Sequence, residues 1–205
     1  MANTTLHSDP FAGVFPPNWG LGEHWRVRMR TEVPMLAIPG RPPPWQDVDF
    51  DFEVLSIPED DAGNYLLDIE SKAESLHYRG FYRKSPFSFV RLEDLAGKAV
   101  ASDDERNPAA PYIDEPWGRF IKDFPVMPPT PQAGIVPCTV HGRPATQEVE
   151  VTESGIRFTI VFGMMRTIVT WDRGAPWWSS LERAGVWPNL PAEFAGSGRL
   201  LRWSP

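Results

Sequence analysis

Apolar and polar residues alternate along much of this chain, and the alternation is sharpest from Thr146 to Trp171. In Gly155–Phe162 the residues Ile156, Phe158, Ile160 and Phe162 share one face. A period of two marks a half-buried strand, because successive side chains point to opposite faces of a sheet. Strands are also predicted on either side, over Thr146–Thr152 and Met165–Trp171. Ser154-Gly155 and Gly163-Met164 stand between the strands, where glycine reaches positive φ without a Cβ clash. The pattern predicts an antiparallel meander with Phe158, Ile160 and Phe162 in the core.

The first half reads the same way. A strand is predicted over Gly22–Thr31, where Trp25, Val27 and Met29 alternate with Arg26, Arg28 and Arg30. In Val48–Ile57 the residues Val48, Phe50, Phe52 and Val54 face the core, while Asp49, Asp51 and Glu53 face water. Pro58–Gly63 has turn chemistry, and Asn64–Ser71 returns as a hairpin partner with Tyr65, Leu67 and Ile69 on one face. Ser75–Tyr82 and Phe87–Leu92 predict two more strands, Leu92–Gly97 one helical turn, and Gly198–Trp203 a closing strand. Three arginines on one strand face repel unless opposite charge meets them. The acidic face of the second strand supplies it, at roughly 0.2–1 kcal/mol per cross-strand pair. The alternative is an anion site lining a polar cavity.

Three stretches lack this period. Residues 1–18 read as an extended N-terminal arm. Pro34–Trp45 is a proline-rich crossing. Residues 98–145 contain nine prolines, from Pro108 to Pro144, and read as an irregular wrap over one face, with Trp117, Phe120 and Ile121 as an anchor. With 23 prolines and 16 glycines in 205 residues, long helices are not expected. The length suits one all-β domain over 1–205, and no internal repeat supports a propeller or solenoid.

Gly22-Glu23-His24-Trp25 opens the first strand, and the segment resembles the Gly-x-Trp start of lipocalin-like barrels with one more residue between Gly and Trp. That resemblance implies a curved antiparallel sheet around an apolar cavity. The expected fold is a single strongly curved antiparallel sheet, barrel or half-barrel, lipocalin-like in outline.

Charge and cysteine usage narrow the function classes. The net charge is −7 and no Lys/Arg run is present, so nucleic-acid binding through phosphate neutralisation is not expected. Cys138 is the only cysteine, which rules out an intrachain disulfide and suits a reducing compartment. The first ten residues carry neither a basic nor an apolar leader region, and no apolar run is long enough to span a bilayer. A cytoplasmic location is expected.

Candidate chemistry is sparse. Cys138-x-x-His141 has ligand types but no second Cys/His pair, and no His-x-x-x-His pair occurs, so no metal is expected. No Gly-x-Ser-x-Gly elbow is present, and Gly20-Leu-Gly22 lacks a further glycine, so no cofactor is expected. Glu23 shares the side of Trp25 and reads as an inward carboxylate near a barrel mouth, or as a rim glutamate in water. Tyr65, His77, Tyr78 and Tyr82 are further polar candidates.

The richest signal is Trp171-Asp-Arg-Gly174-Ala-Pro176-Trp177-Trp178. Its tryptophans either plug the core or line a pocket. Neighbours in an extended segment point opposite ways, which predicts one of Trp177 and Trp178 inward and the other partly exposed. Trp25, Tyr65, Trp171, Trp177 and Trp178 form the expected ligand-binding set. The expected function is a non-enzymatic module for a small hydrophobic ligand or a protein partner. The alternative is a small enzyme using Glu23 as acid/base on an apolar substrate.

Overall fold

A computed structural model describes residues 11–32, 45–59, 63–102, 133–140, 143–186 and 193–204. Among them the chain forms twelve strands and no helix. The first six are β1 (His24–Glu32), β2 (Trp45–Ser56), β3 (Asn64–Ser71), β4 (Leu76–Lys84), β5 (Phe87–Asp94) and β6 (Ala99–Ser102). The second six are β7 (Gly134–Val140), β8 (Arg143–Val151), β9 (Gly155–Phe162), β10 (Met165–Asp172), β11 (Ser180–Val186) and β12 (Glu193–Ser204). All belong to one antiparallel sheet in the order β6-β5-β4-β3-β2-β1-β12-β11-β10-β9-β8-β7. Each half is therefore a meander, and the two halves join at a central seam where β1 pairs with β12.

The sheet is strongly curved. Strands β5 and β9 lie eight places apart, which in a flat sheet would be about 38 Å. Yet Phe87 of β5 and Phe158 of β9 both pack on the ring of Phe15, with centroids 5.7 and 5.3 Å away. The two halves must curl toward each other around a shared interior. The curl does not close. Strands β6 and β7 end the ladder on opposite sides and do not pair with each other, so the sheet is open and not a barrel.

Alternation places the core as expected. Trp25, Val27 and Met29 of β1, Val48, Phe50, Phe52 and Val54 of β2, and Tyr65, Leu67 and Ile69 of β3 are buried on the concave face. Their neighbours make a charge ladder on the convex face. Arg26 stands opposite Asp51, Arg28 opposite Asp49 and Arg30 opposite Asp47. The closest N–O approaches are 2.5, 2.7 and 3.5 Å. The arginine stripe thus meets carboxylates, and the anion-cavity alternative for it falls. Asp47 takes the third place because Glu53 stands opposite His24. The Arg28 hydrogen bonds hold the Asp49 carboxyl below its usual range.

Several expectations are corrected. The wrap over 98–145 contains β6, β7 and the start of β8. Its Trp117 anchor lies outside the described residues, as do Pro34–Pro44 and the first ten residues of the arm. The expected helical turn is strand as far as Asp94, followed by a tight turn closed by the Gly97 N–H on the Asp94 carbonyl. Residues 11–16 are not extended. They fold into turns in which the N–H groups of Val14 and Phe15 both donate to the Phe11 carbonyl. Phe158 is core, but Ile160 and Phe162 are only half-buried. Gly163 has the positive φ its turn requires, at 58°. Gly155 serves another purpose: a Cβ there would strike the Trp171 carbonyl oxygen on the adjacent strand.

Candidate functional site

One end of the concave face is filled by aromatic rings from three sources. The arm and the residues that link it to β1 contribute Phe11, Phe15 and Trp19, the strands contribute Trp25, Phe52, Tyr65, Tyr82 and Trp171, and the β10–β11 loop contributes Trp177 and Trp178. Trp177 sits at the centre, with ring centroids 4.7 Å from Phe52, 5.6 Å from Trp25 and 5.8 Å from Trp19. Such contacts are worth roughly 0.5–1.5 kcal/mol each beyond the area they bury.

Backbone groups lock the arm to the loop. The indole of Trp19 donates to the Pro176 carbonyl at 2.5 Å, and that of Trp171 to the Ala175 carbonyl at 3.0 Å. The Gly174 N–H donates to Gly13 O at 2.9 Å, and the Arg173 guanidinium to Ala12 O at 2.8 Å.

The structure therefore gathers Trp25, Tyr65, Trp171, Trp177 and Trp178 in one place, as a packed plug. The expected split between the two loop tryptophans is wrong: Trp177 and Trp178 are both 0% exposed. Strict alternation needs an extended backbone. Here the loop turns through Gly174, at φ +75°, and bends at Pro176 and Trp177, so both indoles can enter the interior. Trp178 lies against the backbone of Gly198 in β12, where any side chain would collide with its ring.

The polar candidates are scattered. Burial raises the pKa of the Tyr65 phenol, with Lys84 opposing, and lifts that of Tyr82 well above its usual value. Glu23 is half-buried at the rim. Its Oε1 accepts from the Trp203 indole at 2.7 Å and its Oε2 from the Gly20 N–H at 2.9 Å. Those bonds tie the entry of β1 to the end of β12. His77 approaches Asp68 at 2.8 Å, and His24 is exposed. Cys138 is half-buried, which pushes its thiol pKa up and makes it a poorer nucleophile. Its partner in the metal reading, His141, lies outside the described residues. Among the described residues no group of three or more His, Cys, Asp or Glu side chains is placed to hold a metal, and no helix is long and apolar enough to cross a membrane.

Away from the plug the concave face changes character. One cross-strand row runs Val149–Phe158–Val169–Leu181–Gly198–Met29–Val48 and carries no polar side chain. The next row along the strands runs Gln147–Ile160–Thr167–Arg183–Gly196–Thr31–Gln46. Gln147, Thr167 and Arg183 are 0, 8 and 7% exposed. Arg183 donates from Nε to the Thr167 hydroxyl at 3.0 Å. Arg183 is the only charged side chain buried among the described residues.

Alternation along the chain does not reveal this band as a whole. The parity of β8 puts Gln147 on the same face as Val149, so that part was legible. Arg183 was not, because β11 offers Leu181, Arg183 and Gly185 inward and so shows no apolar alternation. Comparison with known proteins gives no match to a family, to a curated protein or to a solved structure.

Proposed function

We propose that this chain is a non-enzymatic binding module that holds a small hydrophobic molecule against the concave face of its sheet. The observation that carries the reading is the change from an apolar row to a polar band, one step along the strands, on the inside of a curved sheet. Small-molecule sites combine apolar walls with a few convergent polar groups that fix orientation, and curved sheets provide such concave surfaces. In this reading the plug of Trp25, Tyr65, Trp171, Trp177 and Trp178 is the rigid wall at one end of the site. A wall already packed in the absence of ligand lowers the ordering cost of binding.

Native mass spectrometry of the purified protein, alone and after incubation with a hydrophobic fluorescent probe, tests this. A bound small molecule, or probe uptake at one or two per chain with a change in tryptophan emission, is expected. A chain of bare sequence mass that takes up no probe would overturn the reading.

A further inference from the structure

We propose that the convex face at the β1–β12 seam is a docking surface for an acidic segment of a partner protein, with Arg199 and Arg202 receiving its carboxylates. The surface lies on the opposite side of the sheet from the small-molecule reading and does not depend on it. Arg199 stands opposite Arg28, and Arg202 stands opposite Arg26. Strict alternation would send two residues three positions apart to opposite faces. The register shift beside Arg26 and Val27 passes over Leu201, so both β12 arginines reach the convex face. A bulge is a device for re-aiming a side chain, and this one sets Arg202 beside Arg26, Arg28 and Arg199.

Like charges directly opposite each other destabilise a sheet unless anions offset them. On β1 the offset is in place. Both oxygens of Asp51 accept from Arg26, and both oxygens of Asp49 accept from Arg28. Those carboxylates stand on β2, two strands from β12 and roughly 10 Å across the sheet. On β12, among the described residues, no carboxylate meets Arg199 or Arg202, and both are exposed. Strand β2 displays the complement that these positions accept. Its aspartates stand at alternate residues, about 7 Å apart, and match arginines at the same spacing. Arg199 and Arg202 repeat that spacing one strand over. An extended segment with Asp or Glu at every second residue therefore fits both guanidinium groups at once, each in bidentate geometry. Leu201 and Trp203, 41 and 43% exposed, flank Arg202 and offer an apolar contact to a neighbouring side chain of that segment. A nucleic acid fits less well, because two arginines neutralise few phosphates and the net charge of −7 repels a long polyanion.

The test titrates a blocked hexapeptide with aspartate at alternate positions, and its asparagine counterpart, into the full chain at low salt, followed by nuclear magnetic resonance of the arginine side-chain N–H groups. The aspartate peptide should bind about tenfold more tightly than the asparagine peptide, shift the Arg199 and Arg202 signals, and weaken as salt is raised. Arg199→Gln combined with Arg202→Gln should remove that preference. Both residues are exposed and stand opposite like charge, so the double variant should keep or raise the urea midpoint, which separates lost binding from lost folding. A double variant that fails to fold would overturn the placement of these side chains as open to a partner. Equal binding of the two peptides, binding of neither, or a preference that survives the double substitution would overturn the proposal. Tighter binding of a thymidine hexanucleotide than of the aspartate peptide would overturn the choice of a protein partner. Concentration-dependent sedimentation of wild type that the double variant abolishes would overturn it in favour of a second copy of this chain.

Discussion

The indole N–H of Trp19 donates to the carbonyl of Pro176 at 2.5 Å, joining residues 157 positions apart in the chain. This bond fastens the arm to the β10–β11 loop at the centre of the aromatic plug. Trp19→Phe keeps most of the ring packing and leaves a buried carbonyl without its donor. That loss is expected to cost about 1–3 kcal/mol, read as a lower urea midpoint with an unchanged slope.

Truncating the plug should cost more. Trp177→Ala and Trp178→Ala each remove a fully buried indole. Each is expected to destabilise the fold by about 3–5 kcal/mol in urea unfolding. Acrylamide quenching of variants retaining only one of the two tryptophans should show both strongly shielded. Free access to either would contradict its burial.

Gly198→Ala tests the contact beneath Trp178 from the other side. The new methyl would press on the indole ring, and overpacking of this kind costs about 1–3 kcal/mol. Adding Trp178→Leu to Gly198→Ala should recover part of the packing conflict. The double variant would then be less destabilised than the sum of the two single changes, which equilibrium unfolding of all three proteins measures.

Two pH responses follow from burial and pairing. The folded pKa of Tyr82, and less so of Tyr65, lies above the ordinary tyrosine value of 10.0, so folding favours the neutral phenol. Their contribution to stability is full below that value and is lost as pH rises through the folded pKa. In an alkaline ultraviolet titration, Tyr65 and Tyr82 should ionise late, and Tyr82 only together with unfolding. Asp49 has the opposite sign. Its pKa is lowered from 3.8 by the Arg28 hydrogen bonds, so its contribution is full above 3.8 and is lost as pH falls through the lower folded value. Asp49→Asn should flatten the acid limb of the stability curve.

Where one face is apolar and the other charged, the chain announces itself. Asn64–Ser71 and Gly155–Phe162 are strands with the bounds that alternation predicts, and the pairing of the β1 arginines with carboxylates of β2 was legible, although Asp47 and not Glu53 supplies the third partner. Legibility fails where the inward face is not apolar. Strand β11 hides behind Arg183 and Gly185, and with it goes the polar band. Strand β7 hides for a different reason: it is an edge, with Ile135 exposed and Pro137 within it, and an edge tolerates proline and need not alternate. The plug was legible in composition and illegible in detail. Nine tryptophans and the Trp171–Trp178 cluster foretell an aromatic core, but the bend at Gly174–Pro176 that sends both loop indoles inward depends on tertiary contacts with the arm.

The seam between β1 and β12 sets an order of assembly. Every other pairing in the sheet joins strands that are neighbours in the chain, and such contacts close short loops at little entropic cost. The seam instead joins distant segments, as the Glu23–Trp203 bond across 180 positions shows. As the polypeptide is synthesised, the first meander emerges with one flank of β1 lacking its partner, and it must wait for the whole second meander before that flank is covered. Hairpin formation should therefore be fast and seam closure slow. In pulse-labelled hydrogen exchange, the β1 amides directed toward β12 should gain protection last.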